Sequence, residues 1–192
     1  MKKLIALVTI LCIMSCGEDP IPKPKAFLRL EYPAPVYENT EAAELPFTFS
    51  KNVLADKVGD IKISRNGTSK GLDIVYPSLK GTLYLTYNEI NKESLKNFLI
   101  DAQNITQKHA QKAEEIVEQP YINEERKVFG MFYEVGGNAA SQSQFYVTDS
   151  TKHFITGSLY FYVKPNYDSI LPAAHYLKND IRHLMESITW KD

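Results

Sequence analysis

Cysteine is nearly absent from this sequence, which has 2 cysteines among 192 residues, Cys12 and Cys16. Both lie close to the N-terminus, so the rest of the chain has no thiol for a disulfide or a zinc-cysteine site. A long hydrophobic run is also lacking. The apolar stretch 4–14 is shorter than the about 20 residues that a membrane-spanning helix requires. The sequence therefore excludes a disulfide scaffold and predicts no transmembrane helix.

An excess of basic charge and the common catalytic motifs are missing too. The chain has 22 Lys and Arg against 23 Asp and Glu, which gives no electrostatic footprint for nucleic acid. No Gly-rich phosphate loop, Gly-x-Ser-x-Gly elbow, His-Glu-x-x-His or Cys-x-x-Cys occurs after residue 16. We therefore predict no enzyme activity, no cofactor, no nucleic-acid partner and no small-molecule substrate.

The first feature that is present is an export signal. Lys2 and Lys3 precede the apolar stretch, and Ser15 places a small residue before Cys16. This end resembles a bacterial lipobox, in which the cysteine is acylated and becomes the new N-terminus. Cys12 is a rival, but the residue before it is the bulky Leu11. We predict a signal peptide over residues 1–15 and membrane attachment through acyl chains on Cys16.

The chain after Cys16 divides into a spacer and one domain. Alternating prolines in 16–25 favour an extended, stiff tether. Residues 26–192 are long enough for one globular domain with a sizeable core. Within it, short alternating or apolar segments predict strands at 27–30, 46–49, 72–76, 82–87, 127–135, 142–148 and 154–163.

Two helices complete the pattern. One is expected from Asn91 to about Val117, ended by Pro120, and the other from about Asp168 to Ile188. Because the links between the later strands are short, these strands must be antiparallel. The order strands, helix, strands, helix predicts an α+β fold with an antiparallel sheet.

Tyrosines in the last strand bear on how the helices pack. Tyr160 and Tyr162 share one face of this strand and apolar residues share the other, so both faces of the sheet are expected to be partly covered. One helix on each face, an α/β/α sandwich, is the preferred arrangement. The alternative places both helices on one face and leaves the tyrosine face for a partner protein.

Histidine and carboxylate side chains are the candidates for a catalytic or metal-binding site. His109 lies on the apolar stripe of the first helix, which favours a core histidine over a catalytic base. Asp149, Ser150 and His153 crowd into one hairpin turn, where turn formation explains them better than nucleophilic catalysis. No two histidines have the i, i+4 spacing of paired metal ligands, and no metal site is predicted.

Two serines match the sequence pattern of an O-glycosylation site. Ser150 and Ser169 each follow an aspartate and precede Thr151 or Ile170. This arrangement looks like the O-glycosylation acceptor of exported Bacteroidota proteins. We therefore keep a sugar at Ser150 or Ser169 as a hypothesis.

Several blocks together resemble the gliding motility lipoprotein GldD family of Bacteroidota. Each block is short, but their number and order over nearly the whole chain after Cys16 are specific. They lie at 29–33, 45–49, 72–87, 109–113, 137–141, 147–154, 165–169 and 180–186.

The resemblance implies a cell-envelope lipoprotein of gliding motility and the linked type IX protein secretion system, working by protein contact. Gly17 after Cys16 favours the outer membrane, with the periplasmic face preferred and surface display left open. The candidate partner-contact residues lie in three polar loops: Asn138, Ser141, Asp149, Ser150, His153, Asn166 and Asp168. The alternatives are a periplasmic hydrolase using His109 or His153, and a glycan-binding lipoprotein using Tyr160 and Tyr162.

Overall fold

The computed structural model describes residues 30–109, 113–162 and 167–191. They form antiparallel strands and two α-helices. In chain order these are β1 (Tyr37–Thr40), β2 (Phe47–Asn52), β3 (Lys57–Val58), β4 (Lys62–Ile63), β5 (Ser69–Tyr76), β6 (Gly81–Glu89), α1 (Leu95–His109), β7 (Ala113–Asn123), β8 (Val128–Gly137), β9 (Ser143–Thr148), β10 (His153–Phe161), α2 (Tyr167–Ser187) and β11 (Thr189–Trp190). Cys16, the tether and most of the predicted strand 27–30 lie outside the described residues.

The strands form one large and one small sheet. The eight-stranded sheet has the order β3-β5-β6-β10-β9-β8-β7, with β4 also paired to β5, and the small sheet has the order β1-β2-β11. Every pairing among the described strands is antiparallel. The predicted α+β fold with an antiparallel sheet is confirmed.

The two helices cover opposite faces of the large sheet. Strand alternation turns Phe154 of β10 toward α1, where its ring lies 5.5 Å from that of Phe98. Leu159 of the same strand points the other way, into a core shared with Leu177 of α2 and Phe47 of β2. The predicted α/β/α sandwich is therefore correct, and the small sheet adds to the layer of α2.

The first helix is shorter than its apolar periodicity predicted. Asn91 does support its start, since its side chain accepts the N–H of Ser94 at 2.8 Å. The extension to Val117 was wrong, because residues from Ala113 onward form β7 and pair with β8. Pro120 lies inside this strand instead of ending a helix, as an edge position allows.

A buried polar network fastens the small sheet to α2. The carboxylate of Asp180, 2% exposed, accepts hydrogen bonds from Tyr37 Oη at 2.9 Å and from Asn52 Nδ2 at 2.7 Å. The ring of Tyr37 also stacks on His183 at 3.6 Å between centroids. Burial raises the pKa of Asp180, although these hydrogen bonds oppose the shift. The segment that leads in from the N-terminus is thus held against α2.

Candidate functional site

The three predicted contact loops lie at two opposite ends of the large sheet. The loop 138–142 precedes β9, and the turn 149–152 follows it, so a six-residue strand separates them by about 20 Å. The start of α2 joins the first loop, because Asn138 Oδ1 accepts the N–H of Tyr167 at 3.1 Å. We call these regions the Asn138 end and the Asp149 end. The strand predicted at 142–148, between the two loops, already implies this separation.

Asp149 organises the turn at its end of the sheet. Its Oδ1 accepts the N–H groups of Thr151, Lys152 and His153 at 2.8–2.9 Å, and its Oδ2 accepts the hydroxyl of Thr151. Partial burial alone would raise the pKa of Asp149, but these hydrogen bonds together lower it to about 2. The carboxylate is therefore ionised at neutral pH and is engaged within the turn.

His153 is held in a structural role at the same end. Its ring is 5% exposed, stacks on Trp190 at 4.9 Å, and has Nδ1 within 3.0 Å of Tyr87 Oη. Burial lowers the pKa of His153, so the neutral ring is favoured. Among the described residues, no carboxylate forms a hydrogen bond or ion pair with the His153 ring.

The remaining candidate residues differ in exposure. Asn138, Ser150, Asp168 and Ser169 are exposed, and Asp149 is half-buried. Ser141 is fully buried and its hydroxyl donates to the carbonyl of Ser143 at 3.2 Å. The expectation that Ser141 and His153 lie on an exposed surface was therefore wrong, because both side chains hold loops from within. Asn166 and the His109 side chain lie outside what the structure describes.

A cleft opens at the Asn138 end, between α2 and the strands β7 and β8. It has a volume of about 100 Å³, and its polar lining includes Glu115, Ser143, His175 and an ion pair between Lys178 and Glu134. Ser143 is fully buried, and its Oγ has no hydrogen-bond partner among the described residues. The cleft is smaller than the about 300 Å³ at which small-molecule pockets begin. It suits one side chain or a few waters better than a substrate.

The tyrosine face is only partly covered by α1. Beyond the helix, Tyr84 and Tyr160 pack edge to face at 5.7 Å, and Tyr162 is 66% exposed while its hydroxyl bonds that of Tyr84. Asp73 and Lys62 form an ion pair of 2.8 Å on the adjoining strands β5 and β4. An aromatic patch therefore remains open, although each face has its helix.

The described part of the chain contains neither a metal-binding cluster nor a membrane-spanning helix. In residues 30–109, 113–162 and 167–191, no three His, Cys, Asp or Glu side chains are grouped closely enough to hold a metal ion. No helix in the same ranges is long and apolar enough to cross a membrane.

Comparison with known families decides what kind of protein carries this surface. The family model described as gliding motility lipoprotein GldD matches residues 17–190. The chain belongs to the gliding motility lipoprotein GldD family. No curated protein and no solved structure matches it significantly. As a GldD-family protein, it is a gliding motility lipoprotein associated with the cell envelope.

One feature near the cleft of this GldD-family chain, the edge strand β7, is not predicted from its sequence. Strand β7 forms one edge of the large sheet, and residues 114–118 are exposed in succession. The adjacent β-branched residues Ile116 and Val117 were a signal for a strand. Ala113 and Ile116 also continue the apolar spacing of the first helix, and the sequence therefore predicts a helix end at these positions.

Proposed function

We propose that this GldD-family lipoprotein is a non-catalytic assembly component that docks other proteins of gliding motility and type IX secretion. It is anchored to the outer membrane by acyl chains on Cys16, with its domain on the periplasmic side. The observation that carries the proposal is the dispersal of the candidate catalytic groups. Asp149 is engaged in a turn, and His153 is stacked in the core at the other end of the sheet from the cleft.

The exposed loops provide the docking surface in this proposal. Each is held by hydrogen bonds from within, such as the three N–H groups bound to Asp149 and the bond between Tyr167 and Asn138. A preformed loop loses little conformational entropy when it binds, which favours recognition by contact. The side chains of Lys152 and Asp168 are exposed at the two ends and are available for charge complementarity.

Charge reversal at each end tests this proposal. Lys152→Glu and Asp168→Lys leave the hydrogen bonds of Asp149 intact, and we expect a folded domain with an unchanged circular dichroism spectrum. Motility and secretion should be lost in at least one of the two variants. Lys108→Glu, an exposed charge on α1, is the matched control. Wild-type motility and secretion in both test variants would contradict docking through these loops.

A second candidate function, glycan binding, is favoured by the open patch of Tyr84, Tyr160 and Tyr162. An exposed aromatic ring offers an apolar face with a polar tip, and Asp73 supplies a nearby carboxylate. Titration of the protein with N-acetylglucosamine oligomers, followed by tyrosine fluorescence, tests it. Binding that is lost in Tyr162→Ala would support this function, and no binding by the wild-type protein would exclude these sugars.

A further inference from the structure

The free edge of β7 has the features of a strand-addition site. In the described structure this eleven-residue strand pairs with β8 alone, so alternate backbone N–H and C=O groups face away from the sheet. Such an edge is a template for an extended segment of another chain. The stretch 113–119 is free of proline and long enough to pair with one strand.

Two apolar side chains of β7 are exposed at this edge. Ile116 is 42% exposed and Val117 is 37% exposed, on opposite faces of the strand. Exposed β-branched residues on both faces of an edge strand favour pairing with a further strand. An added strand would cover part of both side chains, which gives burial that the described structure lacks.

Charge on the strand indicates what kind of segment fits. Glu114, Glu115 and Glu118 are all exposed, and none of the three has an ion-pair partner among the described residues. Opposite charges directly across two strands stabilise a sheet, whereas like charges destabilise it. A basic extended segment is therefore complementary to β7.

The same charges argue against a second copy of this chain as the occupant. An antiparallel pair of β7 strands centred on Ile116 would place Glu114 of one copy opposite Glu118 of the other. Such carboxylate pairs repel each other. A β7 dimer is thus disfavoured by the residues that attract a basic partner.

The cleft at the Asn138 end lies beside this edge. Glu115 and Val117 of β7 line it together with Ser143, whose buried Oγ lacks a partner among the described residues. In strand addition, backbone hydrogen bonds supply affinity and adjoining pockets select alternate side chains. The cleft of about 100 Å³ can take one polar or basic side chain of the added strand.

We propose that the edge of β7 binds an extended basic segment of a partner protein as an additional β-strand, with one of its side chains in the adjoining cleft. This inference rests on the proposed docking function and names the partner's chemistry. It assigns the contact to a sheet edge instead of to the exposed loops alone.

Peptide binding to the full mature protein in non-ionic detergent tests the inference. The probe is a peptide of about nine residues that alternates lysine with threonine or valine. One control peptide has the same charge but carries prolines that prevent strand pairing, and another has glutamate in place of lysine. We expect binding of the first peptide only. Compared with the free protein, hydrogen exchange should be slower at the β7 amides that face away from β8.

Charge-reversal variants provide the protein-side control. Glu114→Lys, Glu115→Lys and Glu118→Lys together should weaken peptide binding by about tenfold or more. Glu41→Lys, Glu44→Lys and Glu93→Lys change the net charge equally at exposed sites outside β7 and its turn, and binding should persist.

Several outcomes would overturn strand addition at β7. Equal binding of the proline-containing peptide would mean that charge alone attracts it. Slow exchange of the β7 amides that face away from β8, measured in the free protein, would show that this chain or a second copy already covers the edge. Failure of the peptide to bind would reject the inference but not loop docking, which the Lys152 and Asp168 variants test separately in cells.

Discussion

At the scale of single residues, the polar groups of this domain act mainly on its own backbone. Asp149 binds three N–H groups of its turn, Ser141 binds the carbonyl of Ser143, and Asp180 joins β1 and β2 to α2. These groups are the types that catalysis uses, but here each has its hydrogen bonds within the fold. The contribution of each group is therefore measured as a change in the free energy of unfolding.

Asp149 should make stability depend on pH in the acidic range. Its pKa in the folded protein is about 2, below the unfolded value near 3.9, so its contribution is present above pH 4 and lost as the pH falls toward 2. Asp149→Ala should cost about 1–2 kcal/mol at pH 7. Urea unfolding at pH 7 and near pH 2.5 measures this, and a mutational loss of equal size at both pH values would contradict it.

Asp180 should be more sensitive to substitution than its surface neighbours. Asp180→Ala leaves Tyr37 Oη without its acceptor and leaves Asn52 Nδ2 with only its 3.1 Å bond to Tyr176 Oη, at an expected cost of about 2–4 kcal/mol. Tyr37→Phe removes one donor and leaves the carboxylate bound to Asn52, so its cost should be about 1 kcal/mol. Thermal unfolding of both variants measures the two costs, and small, equal costs would contradict a stabilising role for the network.

Ser150 and Ser169 remain the candidates for O-glycosylation. Both are exposed in the structure, as attachment of a sugar requires. We expect the native mature protein to be heavier than polypeptide plus lipid, with the excess removed by Ser150→Ala or Ser169→Ala. Intact mass spectrometry measures this, and a native mass equal to polypeptide plus lipid would dismiss the modification.

At the scale of elements, the β7–β8 hairpin carries an exposed edge strand, β7. Gly137 pairs with Ala113 at the open end of this hairpin and has a φ of +85°, and a Cβ added there would lie 2.8 Å from the backbone N of Glu114. The sheet can tolerate this close approach only because glycine lacks a side chain. The hairpin that we propose as a binding edge therefore depends on one residue at the Asn138 end.

Gly137→Ala should loosen β7, and Gly67→Ala supplies the matched control. Gly67 also has a positive φ, of +73°, but a Cβ there meets nothing within 4 Å. Its substitution should cost about 1–2 kcal/mol from backbone strain. Gly137→Ala should cost about 1–3 kcal/mol more because of the steric contact. Denaturant unfolding and hydrogen exchange of β7 amides measure the difference, and equal costs would contradict a clash at Glu114.

The elements that could be predicted from sequence are those with a strong local pattern. Strand alternation and turn residues located β5, β6, β8, β9 and β10, and a capping residue located the start of α1. Strand β7 was missed because its apolar residues also fit a helical period, and its pairing with β8 is a tertiary interaction. β1 and β11 are short and depend on contacts with β2, which no local pattern indicates.

The candidate site was less predictable than the fold. Turn chemistry at Asp149 could be recognised from residue types, because Asp and Ser side chains commonly bind nearby backbone groups. The separation of the Asn138 and Asp149 ends follows from the predicted strand between them, whereas the cleft beside Glu115 depends on strand register and on where α2 packs. Those are properties of the whole sheet.

At the scale of the whole molecule, we propose that this domain works by being held at a membrane and by contacting other proteins. GldD-family membership identifies a gliding motility lipoprotein. The described domain offers exposed loops, an open strand edge and a small cleft. We therefore propose that function depends on membrane attachment at Cys16 and on what the surface of the domain binds.

Release of the domain from the membrane tests this claim most directly. Residues 1–15 are replaced by an export signal that is cleaved without lipidation, and Cys16→Ala removes the acceptor thiol. We predict a folded domain with an unchanged melting temperature, found in the soluble envelope fraction, in cells that have lost gliding motility. Cells in which the released domain still supports normal gliding would contradict the account.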